Sequence, residues 1–203
     1  MIPRRTISTS SGRHACRGGF TLLELMVVLG ILATISAMAA RQLMSLMRES
    51  TVATEADRIR EVMAEARRYA IDTGIDYEFR FEVNGPGVVV LPSENELNVD
   101  DAGNSTTTEK YFRISLELPE DFRLHMGKDA NVESESLAVE RFGDLNSATL
   151  SRKTWSTPVM FRFDGTAQDF TLHVADKSLL TAEVSVRGLT GTIRTSQVYQ
   201  EDL

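Results

Sequence analysis

A run of apolar residues near the start of the chain restricts its fold more than any other feature. Residues 20–40 contain one charged side chain, Glu24, and these 21 residues have the length at which an α-helix crosses a hydrocarbon core. A carboxylate inside such a helix costs about 3 kcal/mol and is retained where a partner or a function requires it. The sequence therefore predicts a membrane-spanning helix with a functional glutamate.

A basic leader without acidic residues precedes this run and ends in Gly18-Gly19. Its four arginines predict that the amino terminus stays in the cytoplasm and that the rest of the chain lies outside. If the chain is cut after Gly19, Phe20 gains a charged amine, and pairing with Glu24 of the same or a neighbouring copy offsets the cost of both charges. Two alternatives are a secretory signal peptide cleaved after Ala37-Met38-Ala39 and a plain single-span anchor.

The seven residues Gly19-Phe20-Thr21-Leu22-Leu23-Glu24-Leu25 resemble the type III signal of type IV pilins and type II secretion pseudopilins. The resemblance implies that a prepilin peptidase cleaves between Gly19 and Phe20 and methylates the new amino group of Phe20. It also implies that Glu24 aligns the subunit in a filament. The implied partners are the peptidase, other pilin or pseudopilin subunits and an inner-membrane assembly platform.

The composition of the remaining chain favours an acidic exported domain. The leader holds four of the 22 basic residues and none of the 29 acidic ones, so residues 20–203 carry a net charge of −11. This charge opposes attraction to phosphate backbones and disfavours nucleic acid as a partner. The single cysteine, Cys16, lies in the leader, so the processed chain is expected to have no disulfide.

Helical periodicity continues beyond the apolar run to about Thr73, with Gly74 as the predicted C-cap. The predicted apolar stripe comprises Leu43, Leu46, Met47, Ala53, Ala56, Ile59, Met63, Ala66 and Ala70. This stripe is expected to pack on a sheet, and a coiled-coil arm is the alternative. The predicted organisation is a leader (1–19), a transmembrane or filament-core helix (20–40), an amphipathic helix (41–74) and a β-rich globular domain (75–203).

Alternation at period two predicts strands after the helix. Residues 77–83 and 88–91 flank a turn at 84–87 and form a predicted hairpin, and further strands are predicted at 112–118 and 122–126. Residues 127–157 are predicted to be mostly loop, and alternation returns at 159–163, 170–174, 184–186 and Ile193. The predicted fold class is α+β, with a long N-terminal helix on an antiparallel sheet.

The C-terminal residues carry a second resemblance. Met160 to Thr166, with its Asp164-Gly165 turn, followed by Val184 to Val186 and Thr190 to Arg194, resembles the signature of H-type (GspH) minor pseudopilins and FimT/FimU-like minor pilins. A generic antiparallel meander is the alternative.

Together the two resemblances imply a minor pseudopilin of a type II secretion system. Such a protein is a single-pass inner-membrane precursor with a periplasmic globular domain, sits near the filament tip and contacts sister subunits or a secreted protein. The alternatives are a type IV minor pilin that binds DNA in competence, and an anchored periplasmic enzyme or adaptor with an incidental motif.

Residues for catalysis or metal binding are sparse in the sequence. His14, His125 and His173 are far apart in the chain and predict neither a catalytic triad nor a two-histidine metal site, so neither an enzyme nor a cofactor is expected. The Asn98–Asn104 loop is rich in oxygen ligands but lacks the twelve-residue spacing of a calcium loop, which favours a solvated acidic loop. Trp155 is interpreted as either a partner anchor or a core residue.

Overall fold

A computed structural model describes residues 21–93, 111–127 and 133–201 of the chain. It consists of two compact units, Met1–Met44 and Ser45–Leu203. The long helix α1 is Leu22–Thr73, and antiparallel strands follow it in the second unit. The predicted α+β fold class is confirmed.

Helix α1 ends as the sequence predicts. Gly74 has φ +74° and its N–H donates to the carbonyl of Ala70 at 3.0 Å, which is the left-handed C-cap that glycine favours. The buried stripe consists of Val52, Ala56, Ile59, Val62, Met63, Ala66 and Ala70.

The prediction that the buried stripe of α1 begins at Leu43 was wrong. Leu43, Leu46 and Met47 are 60%, 60% and 63% exposed, and Ala53 is also exposed. The helical period is continuous, but the core cluster of the second unit reaches only as far as Val52. The described residues of this unit therefore leave the apolar side chains of Leu46 and Met47 exposed.

The strands are β1 (Tyr77–Phe81), β2 (Gly87–Pro92), β3 (Ile114–Glu117), β4 (Phe122–His125), β5 (Ser134–Glu135), β6 (Trp155–Ser156), β7 (Val159–Phe161), β8 (Phe170–Asp176), β9 (Leu180–Arg187), β10 (Thr192–Thr195) and β11 (Tyr199–Gln200). The first sheet has the order β3-β2-β1-β7. The second sheet has the order β10-β9-β8-β4, and β11 also pairs with β9. Strands β5 and β6 form a small third sheet.

The hairpin predicted at residues 84–87 joins β1 to β2, with Phe81 opposite Val88. Strand β7 does not continue into a hairpin with β8 but pairs with β1, with Tyr77 opposite Phe161. The chain leaves the first sheet at Phe161, and Phe163, which the alternation places with the core residues, is 58% exposed. The strands predicted at 159–163 and at 170–193 thus belong to two different sheets.

Residues 133–157 were predicted to be mostly loop, but they contain several short helices and strands. They contain β5, a 3₁₀ helix at Val139–Phe142, the short helix α2 at Ser147–Leu150, and β6. Their buried side chains form a second core cluster with two residues of β2, and its members are Val89, Leu91, Phe142, Leu150 and Trp155. We refer to residues 133–156 as the covering segment, because they bury the face of the first sheet opposite α1.

Trp155 belongs to this second core. Its side chain is 0% exposed, and its indole N–H donates to the carbonyl of Leu150 at 3.0 Å. A buried tryptophan needs such an acceptor. Of the two interpretations of Trp155, the structure supports the core residue.

The covering segment also buries charged residues of β1. Arg80 donates to Glu78 at 2.6 Å and to Glu135 of the covering segment, and Arg141 donates to Glu78 at 2.7 Å. Glu78 and Arg80 are only 6% and 5% exposed. Each buried charge has an opposite partner, as burial requires.

The second sheet is buried on one face only. Its inner face contributes Leu124, Leu172, Val174 and Val184 to the main core cluster, which also contains the buried residues of α1. The opposite face presents partly exposed polar residues, among them His125, His173 and Glu183.

Candidate functional site

The first turn of α1 holds the glutamate that the sequence singles out. The backbone N–H of Glu24 donates to the hydroxyl of Thr21 at 3.2 Å, and Leu25 N–H donates to the carbonyl of Thr21 at 3.2 Å. Thr21 thus caps the helix, and Thr21-x-x-Glu24 has the spacing of a capping box. This spacing is readable in the sequence, but the sequence analysis missed it.

The position of Glu24 has an electrostatic consequence. The amino-terminal end of a helix carries a partial positive charge, so a carboxylate in its first turn is stabilised by roughly 0.3–1 kcal/mol. A charged amine introduced just before this turn would be disfavoured by the same field, and Glu24 would offset it. Gly19 and Phe20, the predicted cleavage residues, lie outside the described residues.

The apolar side chains on both sides of Glu24 are exposed throughout residues 22–39. Exposed fractions range from 48% at Val28 to 79% at Leu22. A contiguous apolar surface of this kind marks contact with lipid or with other protein chains. By length and composition, α1 is the one helix in the described part of the chain that can cross a membrane.

The C-terminal signature residues form a contact between α1 and two turns. Arg67 Nε donates to the carbonyl of Gly165 at 2.9 Å, and Arg67 Nη2 donates to the carbonyl of Thr190 at 3.1 Å. Gly165 and Gly191 have φ of +84° and +58°, values that favour glycine. The Asp-Gly and Thr-Gly pairs therefore have a structural role, fixing both turns to the helix through a residue that the sequence analysis did not single out.

The turn at Asp164 has its own hydrogen bonds. The carboxylate of Asp164 accepts from the N–H of Thr166 at 2.9 Å and from the Thr166 hydroxyl at 2.6 Å. These hydrogen bonds from Thr166 lower the pKa of the Asp164 carboxyl. The arrangement stabilises the turn.

Two histidines that are distant in the sequence are adjacent in the fold, so their distance along the chain is not evidence against a two-histidine site. The rings of His125 and His173 stack with centroids 5.1 Å apart, because β4 pairs with β8. His125 Nε2 lies 3.4 Å from a carboxylate oxygen of Glu201. Strand pairing produced this cluster, and spacing along the chain gave no signal for it. The oxygen-rich loop at Asn98–Asn104 lies outside the described residues.

Comparison with known proteins gives one family match and a set of similar structures. The family model described as the prokaryotic N-terminal methylation motif matches residues 15–40. No curated protein sequence matches the chain significantly.

Two solved structures of the minor pseudopilin EpsH from the type II secretion system of Vibrio cholerae are similar to this chain. One is 17% identical, with a TM-score of 0.44, covering 72% of this chain and 96% of the solved chain. The other is 18% identical, with a TM-score of 0.45, covering 76% and 99%. Residues 15–40 carry the N-terminal methylation motif that the resemblance of Gly19 to Leu25 predicts.

Proposed function

We propose that this chain is a minor pseudopilin of the H type, a filament subunit of a type II secretion-type pseudopilus. The observation that carries the proposal is the methylation motif at residues 15–40, which leads into a helix whose apolar side chains are exposed. The α+β architecture is consistent with it. The proposal gives the chain an assembly function and no catalytic step.

Processing is proposed to remove residues 1–19. A prepilin peptidase cleaves between Gly19 and Phe20 on the cytoplasmic side and methylates the amino group of Phe20. Because α1 begins at Leu22, the new amine lies two residues before the first helical residue in the chain. Methylation keeps the positive charge, so the amine still needs a counter-charge near the end of the helix dipole, and Glu24 is the acidic residue of the first turn.

Assembly is proposed to transfer the apolar part of α1 from lipid into the filament core. In lipid an unpaired carboxylate is costly, whereas in a helix bundle Glu24 can pair with the Phe20 amine of its own or an adjacent subunit. The free-energy difference favours extraction of the subunit in one axial register. Exposed apolar residues from Leu22 to Met38 provide the packing surface.

The globular domain is proposed to lie in the periplasm and, after assembly, at or near the filament tip. The basic leader supports this orientation through the positive-inside rule. From the tip, the domain would contact sister subunits or a secreted protein. A type IV minor pilin of the FimT/FimU type would share the processing and assembly steps and differ in the filament it joins.

The test combines mass spectrometry with a matched pair of variants. Protein isolated from cells should begin with N-methyl-phenylalanine at residue 20. Glu24→Ala should insert into the membrane but be incorporated into sheared filaments at least about tenfold less, a loss equivalent to roughly 1.4 kcal/mol. Glu61→Ala, which removes an exposed carboxylate further along α1, is the control and should assemble normally.

Three results would contradict the proposal: a mature chain that begins at Met1, one that begins at Ala40, or equal incorporation of the two variants. Deletion of the gene then distinguishes a subunit of a type II secretion-type pseudopilus from a type IV minor pilin. Loss of a secreted protein from the medium supports the pseudopilus, and loss of surface pili with intact secretion supports the minor pilin.

A further inference from the structure

The outer face of the second sheet carries a row of three polar side chains on adjacent strands. His125 of β4 lies directly opposite His173 of β8, and His173 lies directly opposite Glu183 of β9. Side chains in this relation are the nearest neighbours across a sheet. The pairing of the strands therefore fixes the two imidazoles beside each other without any loop.

The end of the chain brings a carboxylate to the same row. Strand β11 pairs with β9, and the N–H of Glu201 donates to the carbonyl of Leu179 at 2.9 Å. One Glu201 oxygen lies 3.4 Å from His125 Nε2 and accepts from the hydroxyl of Thr181 at 3.2 Å. One ligand atom from each of His125, His173 and Glu201 lies within 4.8 Å of the other two.

From this geometry we propose that His125, His173 and Glu201 form a binding site for a divalent zinc-class cation. Two imidazoles and a carboxylate are ligands that Zn²⁺ accepts in a tetrahedral site, with water in the fourth position. In such a site the ligand atoms are separated by roughly 3.4 Å. Small side-chain rotations would bring the ligand atoms of His125, His173 and Glu201, now within 4.8 Å of one another, to that separation. The proposal does not depend on the filament function.

Outer hydrogen bonds around the cluster match those of metal-binding histidines. The hydroxyl of Tyr199 donates to Glu183 at 2.8 Å and lies 3.2 Å from His173 Nδ1. Because the single hydroxyl proton goes to the carboxylate, the hydroxyl accepts from the Nδ1–H of His173. In the neutral ring with this hydrogen bond, Nε2 of His173 is the nitrogen that carries the lone pair a metal ion requires.

A bound ion would join the last described residues of the chain to the centre of the second sheet. Glu201 follows the two-residue strand β11, whereas His125 and His173 lie on β4 and β8. One ion would connect three strands and oppose fraying of the carboxyl-terminal segment. Metal binding should thus protect backbone amides near Tyr199 from hydrogen exchange.

Zinc chloride titrated into the full chain in detergent micelles, in competition with a chromophoric chelator, tests the site. We expect one ion per chain with half-saturation at or below about 100 µM. His173→Gln and Glu201→Gln should each weaken binding at least about tenfold, whereas His14→Gln, which removes the histidine of the leader, should not. Weaker binding by the unmodified chain, or equal binding by all three variants, overturns the proposal.

A second measurement requires no variant and so does not depend on variant folding. Diethyl pyrocarbonate modifies accessible histidines, and peptide mass spectrometry locates each adduct. Zinc should reduce modification of His125 and His173 and leave that of His14 unchanged. Equal modification of His125 and His173 with and without zinc overturns the site.

Discussion

The two larger sheets both contain alternating strands, but their surroundings differ. In the first sheet, β1 and β2 are buried at every position, by α1 on one face and by the covering segment on the other. The second sheet is buried on its inner face and partly exposed on its outer face, as the alternating burial of β4 shows. Alternation of apolar and polar residues thus predicts that the two faces of a strand differ in polarity. It does not predict whether the polar face is exposed to water or covered by another segment.

The charged residues of the two sheets differ in the same way. Glu78 and Arg80 of the first sheet are enclosed and share hydrogen bonds with the covering segment. Lys177 and Asp121, which pair at 2.8 Å beside the second sheet, are 67% and 60% exposed. Buried pairs are costly to break, whereas exposed pairs contribute between 0 and about 1 kcal/mol.

Removal of the tryptophan of the covering segment should give the largest effect. Trp155→Ala leaves a cavity in the second core and removes one of the two hydrogen bonds that the carbonyl of Leu150 accepts, the other coming from the N–H of Lys153. We expect it to cost about 4 kcal/mol of unfolding free energy. The measurement is urea denaturation of the full chain in detergent micelles, followed by circular dichroism. Phe163→Ala, at a 58% exposed aromatic outside the sheet, is the control and should cost less than about 1 kcal/mol. Equal losses would show that the covering segment contributes little to the fold.

Removal of one buried charge from the first sheet should give the next largest effect. Arg80→Ala leaves Glu135 without this partner and Glu78 with Arg141 alone, and we expect a loss of about 3 kcal/mol. Lys177→Ala at the exposed pair is the matched control, with an expected change within about 0.5 kcal/mol. The same denaturation experiment compares the two variants. A loss at Arg80 as small as that at Lys177 would mean that the enclosed pair is as well solvated as the surface pair.

The smallest expected change in unfolding free energy comes from pH, through a titrating group of the second sheet. Burial lowers the pKa of His125, while Glu201 raises it and His173 lowers it further. Between this lowered value and about 6.5, the unfolded chain binds more protons than the folded one, so the unfolding free energy falls as pH decreases through that window.

Replacement of His125 tests this dependence. His125→Gln should flatten the pH profile below about 6.5, measured by denaturation with a chelator present to exclude metal binding. The groups facing His125 are His173 and Glu201, and Glu183 and Tyr199 lie next to them, so their protonation must be followed by NMR in the same samples. His14→Gln should retain the profile of the unmodified chain. An unchanged profile in His125→Gln would assign the dependence to another group.

The sequence predicts the local elements well where the pattern is long and strong. The end of α1 at Thr73, its C-cap at Gly74 and the hairpin at 84–87 follow from helical periodicity and turn residues. It predicts residues 133–156 poorly, because their strands and helices have two to four residues each and depend on contact with β2 for burial. Elements this short carry no periodic signal.

The candidate sites show the same difference between features set by neighbours in the chain and features set by tertiary contacts. The methylation motif is local, and a contiguous set of residues around Glu24 was sufficient to predict it. The role of Arg67 was missed because its acceptors, Gly165 and Thr190, are 98 and 123 residues away in the chain. The cluster of His125, His173 and Glu201 was missed because strand order brings these residues together.

By itself, the sequence determined the features that depend on neighbours in the chain: the apolar helix with its single glutamate, the helix ends and the turns. Hydrophobicity and backbone preferences act over a few residues, so they can be read directly. The tertiary structure alone decided that Trp155 and Arg80 are buried and that two distant histidines are adjacent. Those outcomes depend on which strands pair and which segment covers a sheet, and both are set by the free energy of the whole fold rather than by any local pattern.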